Sequence, residues 1–118
     1  MVRVLVIDDD VPIAQLMAAV LEDAGFRVSV ATAFTDLPPG PFDRVVTDLM
    51  SSGGYDAQQA QRYLRTLAVQ YPGVAIILVT AHHAASFDLA LLGVRRIVLK
   101  PFDVDEFIAA VREETATS

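Results

Sequence analysis

Five short, mostly apolar and β-branched runs recur along the chain, at Val2 to Ile7, Arg27 to Ala31, Arg44 to Thr47, Val74 to Val79 and Arg96 to Leu99, and they constrain the fold more than any other feature. Several are apolar at consecutive positions rather than at alternate ones. Such strands must be covered on both faces, which is the condition of parallel strands layered between helices. Segments of helical periodicity lie between them. From about Pro12 to Ala24, the residues Ile13, Leu16, Met17, Val20 and Leu21 fall at the spacing of one buried face, with Pro12 suited to a first turn and Gly25 to a stop. Asp56 is placed to cap a helix through about Gln70 with Ala60, Leu64, Leu67 and Ala68 along one side, before Pro72 and Gly73 stop it. Asp103 and Glu106 have the spacing of a capping box ahead of Phe107, Ile108 and Val111.

Strand and helix in alternation predict right-handed βαβ units and a doubly wound parallel α/β sheet, because parallel neighbours need crossover connections. One interval breaks the alternation. Phe34 to Phe42 contains Leu37, Pro38, Pro39, Gly40 and Pro41, which leaves room for one helical turn at most and predicts a vestigial second helix. The 118 residues are read as a single domain spanning 1–118, with Thr115 to Ser118 as a frayed tail.

In such sheets ligands bind beyond the carboxyl ends of the strands. The polar residues of this chain gather at that edge: Asp8, Asp9 and Asp10 follow the first strand, Asp48 the third, Thr80 ends the fourth and Lys100 the fifth. Carboxylates from separate strands repel one another unless a cation neutralises them, and hard oxygen donors favour Mg²⁺. Asp48 can serve as ligand and also as nucleophile toward a phosphoryl group, with Lys100 as a point charge and Thr80 as a hydroxyl donor to a phosphoryl oxygen. Asp10 is open to two readings, as part of the acidic rim or as a helix cap. Arg95 and Arg96 are read as solvated charges in preference to part of a partner surface, and Ile97 and Leu99 as packing residues.

A net charge of −6 argues against this domain gripping nucleic acid or an anionic membrane surface directly. The absence of cysteine excludes disulfides and thiolate metal sites and is compatible with a cytoplasmic location. The first apolar run is too short for a signal sequence or a membrane span. His82 and His83 are adjacent, so they point away from one shared ion, and the chain has no third histidine to complete a site.

The motifs VLVIDDD (Val4 to Asp10), VVTDLM (Val45 to Met50), ILVTA (Ile77 to Ala81) and LKPF (Leu99 to Phe102) make the chain resemble the response-regulator receiver family over nearly its whole length. The resemblance implies a flavodoxin-like sheet of order 2-1-3-4-5, Mg²⁺ held by Asp8, Asp9, Asp48 and the Met50 carbonyl, phosphorylation at Asp48, a switch hydroxyl at Thr80 and a conserved lysine at Lys100. It also implies a cis bond before Pro101, a tuning of water access at His82, and a sensor histidine kinase or histidine phosphotransfer protein as partner. An effector domain beyond Ser118 is a further expectation, and the chain is either a standalone receiver or a piece of a longer regulator. The role is that of a signalling phosphoacceptor rather than an enzyme.

Some positions depart from the family pattern. Ile97 stands where an aromatic switch residue is usual, and Ser52, followed by Gly53 and Gly54, where a proline is usual. The segment AHHAASFDLALL after Thr80 is short for a full fourth helix, with Phe87 and Leu91 left to anchor a turn or two. These departures keep open a pseudo-receiver that acts as a phosphorylation-independent interaction module. A flavodoxin-like cofactor binder or phosphatase would need backbone donors for phosphate, and no glycine-rich turn follows the first strand.

Overall fold

The computed structural model describes residues 1–33, 35, 37–48, 56–81 and 94–113. Five strands, β1 (Arg3–Ile7), β2 (Arg27–Ala31), β3 (Arg44–Thr47), β4 (Ala75–Thr80) and β5 (Arg96–Leu99), form one sheet of order β2-β1-β3-β4-β5 in which every pairing is parallel. Among the described residues the helices are α1 (Val11–Asp23), α2 (Ala57–Gln70) and α3 (Val104–Arg112). The doubly wound, flavodoxin-like order is the one expected.

Alternation along the strands divides the core into two layers. Val4, Val6, Val46, Ile77, Val79 and Val98 pack against α1 and α3, around the fully buried Met17, Leu21 and Phe107. On the other face Leu5, Ile7, Val45, Ile76 and Leu78 pack against Leu64, Leu67 and Tyr71 of α2 and the turn that follows it. β4 is buried at all six positions, as a central strand covered on both faces must be.

The helices start and stop for local reasons. The Asp10 carboxylate accepts the Ile13 N–H at 3.1 Å and caps α1, which settles the role of that residue as a cap. At the other end Gly25 takes φ +101°, the Phe26 N–H reaches the Leu21 carbonyl at 3.0 Å and the Gly25 N–H the Glu22 carbonyl at 3.0 Å. This is a Schellman ending, and Phe26 packs back on the same core as Leu21. The buried face of α1 is rotated from the one expected. Ala14, Met17, Ala18 and Leu21 are buried and Leu16 is 53% exposed, because the two alanines let the helix sit close on the sheet and Leu16 lies about 200° around the helix from Ala14.

Asp56 caps α2 by accepting the Gln58 and Gln59 N–H groups. Ala60, Leu64 and Leu67 are buried as expected, but Ala68 is exposed and the stripe continues instead to Tyr71. In α3 the Asp103 carboxylate accepts from the Asp105 N–H at 2.8 Å, so the cap closes on the second helical residue rather than as a box with Glu106. Ala110 joins Phe107 and Val111 on its inner face, and Ile108 is only partly buried.

The described residues between β2 and β3 contain no helix, in line with the vestigial second helix. Their place is taken by a proline strap. The Tyr71 hydroxyl donates to the Pro38 carbonyl at 2.6 Å, and the Tyr71 ring lies so close to Gly40 that a β-carbon there would meet it at 3.2 Å. Register places Ser29 and Ala31 beside Leu5 and Ile7 on the strap side, and such small or polar residues leave little apolar surface for a helix to bury. The Gly40–Pro41 and Lys100–Pro101 bonds are both cis. The expected fourth-helix segment with Phe87 and Leu91, and the tail from Thr115, lie outside the described residues.

Candidate phosphoacceptor site

Register brings the strand ends level. Ile7 pairs with Thr47, Thr47 with Leu78 and Thr80 with Leu99, so Asp8 and Asp48 leave the sheet side by side while Thr80 and Lys100 close the neighbouring strands. Backbone bonds extend the ladder through these positions: the Asp8 N–H donates to Ala31, Asp48 to Ile7 and Lys100 to Thr80, at 3.1, 3.1 and 2.8 Å.

The side chains converge. Lys100 Nζ lies 3.1 Å from Asp8 Oδ2 and 3.3 Å from Asp48 Oδ2. Asp8 is fully buried, and its second oxygen accepts the Asp10 N–H at 2.9 Å. Both oxygens of this buried carboxylate therefore have hydrogen-bond partners. Asp48 keeps 19% of its side chain in solvent, and Asp9 is exposed at the lip. Burial pulls the Lys100 pKa down, but the Asp8 hydrogen bond and the charges of Asp48 and Asp8 outweigh it, so the net direction is upward and the group is an ammonium.

Carboxylate oxygens of Asp8, Asp9 and Asp48 lie within 4.8 Å of one another. Three carboxylates against one ammonium leave this cluster negative, and an oxygen-only donor set of that kind suits a hard divalent cation. The Met50 carbonyl, expected as a further ligand, lies outside the described residues, as do Ser52, Gly53, Gly54, His82 and His83.

Thr80 is fully buried at the end of β4. By alternation its side chain shares the α2 face of the sheet with Leu78 and with Ile97, which packs against that core as expected. Arg95 and Arg96 are not merely solvated charges: both pair with Glu113 just past α3, at 3.5 and 2.7 Å, because β5 runs alongside the end of that helix.

Two residues near Asp48 were missed in the sequence. The fully buried Thr47 donates its hydroxyl to the Asp48 carbonyl at 2.9 Å, and the Tyr63 hydroxyl on α2 lies 2.5 Å from the same Thr47 oxygen. Burial holds the Tyr63 phenol well above its usual pKa, partly offset by the Thr47 bond and reinforced by the Asp48 charge, so it is protonated and able to donate. The sequence signal was faint: a threonine that ends a short strand after two valines and a tyrosine one position before the Leu64 stripe.

Beside Lys100 an apolar depression is lined by Ile13, Leu16, Ala81, Pro101, Phe102 and Val104. Among the described residues no helix is long and apolar enough to cross a membrane.

Comparison with known proteins places the chain in a family. The family model described as "Response regulator receiver domain" matches residues 4–112. The DNA-binding response regulator MtrA of Mycobacterium tuberculosis is 33% identical over 120 residues, covering 93% of this chain and 49% of MtrA. This chain thus spans about half the length of that relative, and 24% of the NtrX-like regulator of Rickettsia bellii, to which it is 25% identical. Among solved structures, the receiver domain of the Francisella response regulator 1452 superposes with a TM-score of 0.73 at 26% identity, covering 94% of this chain and 93% of the other. Chemotaxis protein CheY4 of Vibrio cholerae shares the fold, with a TM-score of 0.73 at 20% identity and coverage of 95% and 97%. The chain belongs to the response-regulator receiver family.

Proposed function

We propose that this receiver accepts a phosphoryl group on Asp48 from a phosphohistidine of a sensor kinase or phosphotransfer protein. The observation that carries the reading is Lys100 Nζ, placed between the buried Asp8 and the partly open Asp48. An Asp48 carboxylate oxygen attacks phosphorus, the phosphorus–nitrogen bond of the donor breaks, and the leaving imidazole takes up a proton. Lys100 offsets charge on the transferred group and Thr80 donates its hydroxyl to one phosphoryl oxygen. The carboxylates of Asp8, Asp9 and Asp48, with the Met50 carbonyl, would hold Mg²⁺, which supplies charge neutralisation for the transfer. The apolar depression around Leu16 and Phe102 lies next to Lys100, where a protein donor must dock for its histidine to reach Asp48. Cytoplasmic signalling and an output module in a longer chain accompany this reading.

Incubation with acetyl phosphate and Mg²⁺, followed by intact mass measurement, should add one phosphoryl group, and Asp48→Asn should abolish the addition. No addition to the wild type, or equal addition to the variant, would refute the proposal. A pseudo-receiver is the second reading, favoured by Ile97 and by the strap in place of a helix. Partner binding that is tight and indifferent to Asp48→Asn would support it instead.

A further inference from the structure

The acceptor is anchored through more than the rim. Its N–H is held by the Ile7 carbonyl of β1, and its own carbonyl accepts the Thr47 hydroxyl. A hydroxyl has one proton, so with Thr47 donating to Asp48 the 2.5 Å contact with Tyr63 is one in which the phenol donates and Thr47 accepts. A directional chain therefore runs from the Tyr63 O–H of α2, through Thr47, to the Asp48 carbonyl.

Packing alone does not call for this pair. Val45 and Val46 fill neighbouring strand positions with hydrocarbon, and a valine at 47 with a phenylalanine at 63 would fill the same volumes without any buried hydroxyl to satisfy. The bonded pair instead pins the peptide that leads out of Asp48, and so fixes the direction of the carboxylate that meets Lys100 at 3.3 Å.

We propose that Tyr63 is a positioning residue for phosphoryl transfer, acting through the Thr47 hydroxyl to hold Asp48 in line with Lys100. The inference rests on Asp48 being the phosphoacceptor. Transfer geometry is sensitive to displacements of this kind, so loss of the relay should slow the step about tenfold at saturating donor and Mg²⁺. The Mg²⁺ concentration for half-maximal rate should stay within about twofold, since Tyr63 offers no oxygen to the acidic cluster.

The test compares Tyr63→Phe, Thr47→Val, the double variant and Thr47→Ser, with acetyl phosphate and Mg²⁺. Both single variants should be slowed alike, the double variant should be no slower than either, and Thr47→Ser, which restores the hydroxyl, should recover most of the rate. A wild-type rate for Tyr63→Phe, multiplicative losses in the double variant, or failure of serine to rescue would overturn the relay. Fluorine NMR gives a readout that does not depend on turnover or on the stability of Thr47→Val. The chain has three tyrosines, so meta-fluorotyrosine labelling with Tyr63→Phe assigns the Tyr63 signal. Mg²⁺ with beryllofluoride should shift that signal and leave Tyr71, at the far end of α2, in place. An unmoved Tyr63 signal would overturn the relay. A wild-type chain that takes up no phosphoryl group removes the parent reading and the relay together, whereas a phosphorylated wild type with an equally fast Tyr63→Phe removes the relay alone.

Discussion

Asp9→Asn should stabilise the metal-free protein and cost it most of its response to Mg²⁺. Asp9 stands within 4.8 Å of Asp8 and Asp48, and Lys100 is engaged by those two. A pair of like charges at that distance repels by about 0.9 kcal/mol at the dielectric of water and about 3.5 kcal/mol at an effective value near 20. Asp9 is exposed, which favours the lower figure, and Lys100 cancels roughly one of its two neighbours, so removing its charge should raise stability by about 1 kcal/mol. For a domain of this size that is a melting-temperature rise of about 3 to 6 °C. Bound metal reverses the order. At about a hundred times its dissociation constant Mg²⁺ adds about 2.7 kcal/mol to the wild type, and the variant, short of one ligand, gains well under half of that. Urea unfolding in EDTA and in Mg²⁺ should therefore show the curves crossing. An Asp9→Asn protein no more stable than wild type in EDTA, or one with an undiminished Mg²⁺ increment, would refute the claim that these carboxylates form one strained cation site.

Tyr71→Phe should lose the bond to Pro38 and about 1 kcal/mol of stability by urea unfolding, while Gly40→Ala should also destabilise by forcing the strap off the Tyr71 ring. Asp10→Ala should cost about 1 kcal/mol through α1 while leaving Mg²⁺ affinity nearly unchanged, as measured by calorimetry, since Asp10 is a cap. In metal-free protein, Lys100 and Tyr63 both have pKa values raised by folding. The folded state thus holds these protons more tightly than the unfolded chain. Their contribution is complete below about pH 10 and is lost as pH rises through the folded values, so urea midpoints should fall on the alkaline side and Tyr63→Phe should flatten that fall.

The rim was legible because each of its residues follows a strand whose own pattern is strong: once Ile7, Thr47, Thr80 and Leu99 are recognised as strand ends, Asp8, Asp48 and Lys100 have nowhere else to go. The rotation of α1 was not legible, since Leu16 and Ala18 differ in the opposite sense from their burial. Hydrophobicity ranks leucine first, whereas close packing against a sheet selects the smaller side chain. Arg95 and Arg96 escaped for another reason. Their partner Glu113 is distant in sequence, and only the antiparallel return of α3 beside β5 brings the three together. Tyr63 and Thr47 belong to the same class, a contact between elements with no local signature.

These features fall unevenly across the sheet. The layer against α1 and α3 is filled by Val4, Val6, Val46, Val79 and Val98 beneath well-capped helices, and it contains none of the described departures from the family pattern. The opposite layer carries those that the described residues include, the strap held by Tyr71 and Ile97 against the α2 core, with Ser29 and Ala31 on the edge strand beneath the strap. Thr47, Tyr63 and Thr80 lie on that same side, next to Asp48. A perturbation at Asp48 transmitted into the sheet therefore meets hydrocarbon on one face and a hydrogen-bonded path on the other. Hydrocarbon packing yields by small rotamer adjustments, but a donor–acceptor chain has discrete arrangements, because breaking one bond strands a buried hydroxyl. On that ground a change at Asp48 would reach α2 through Thr47 and Tyr63 sooner than it would reach α1 or α3, while Ile97 meets the same core through hydrocarbon alone.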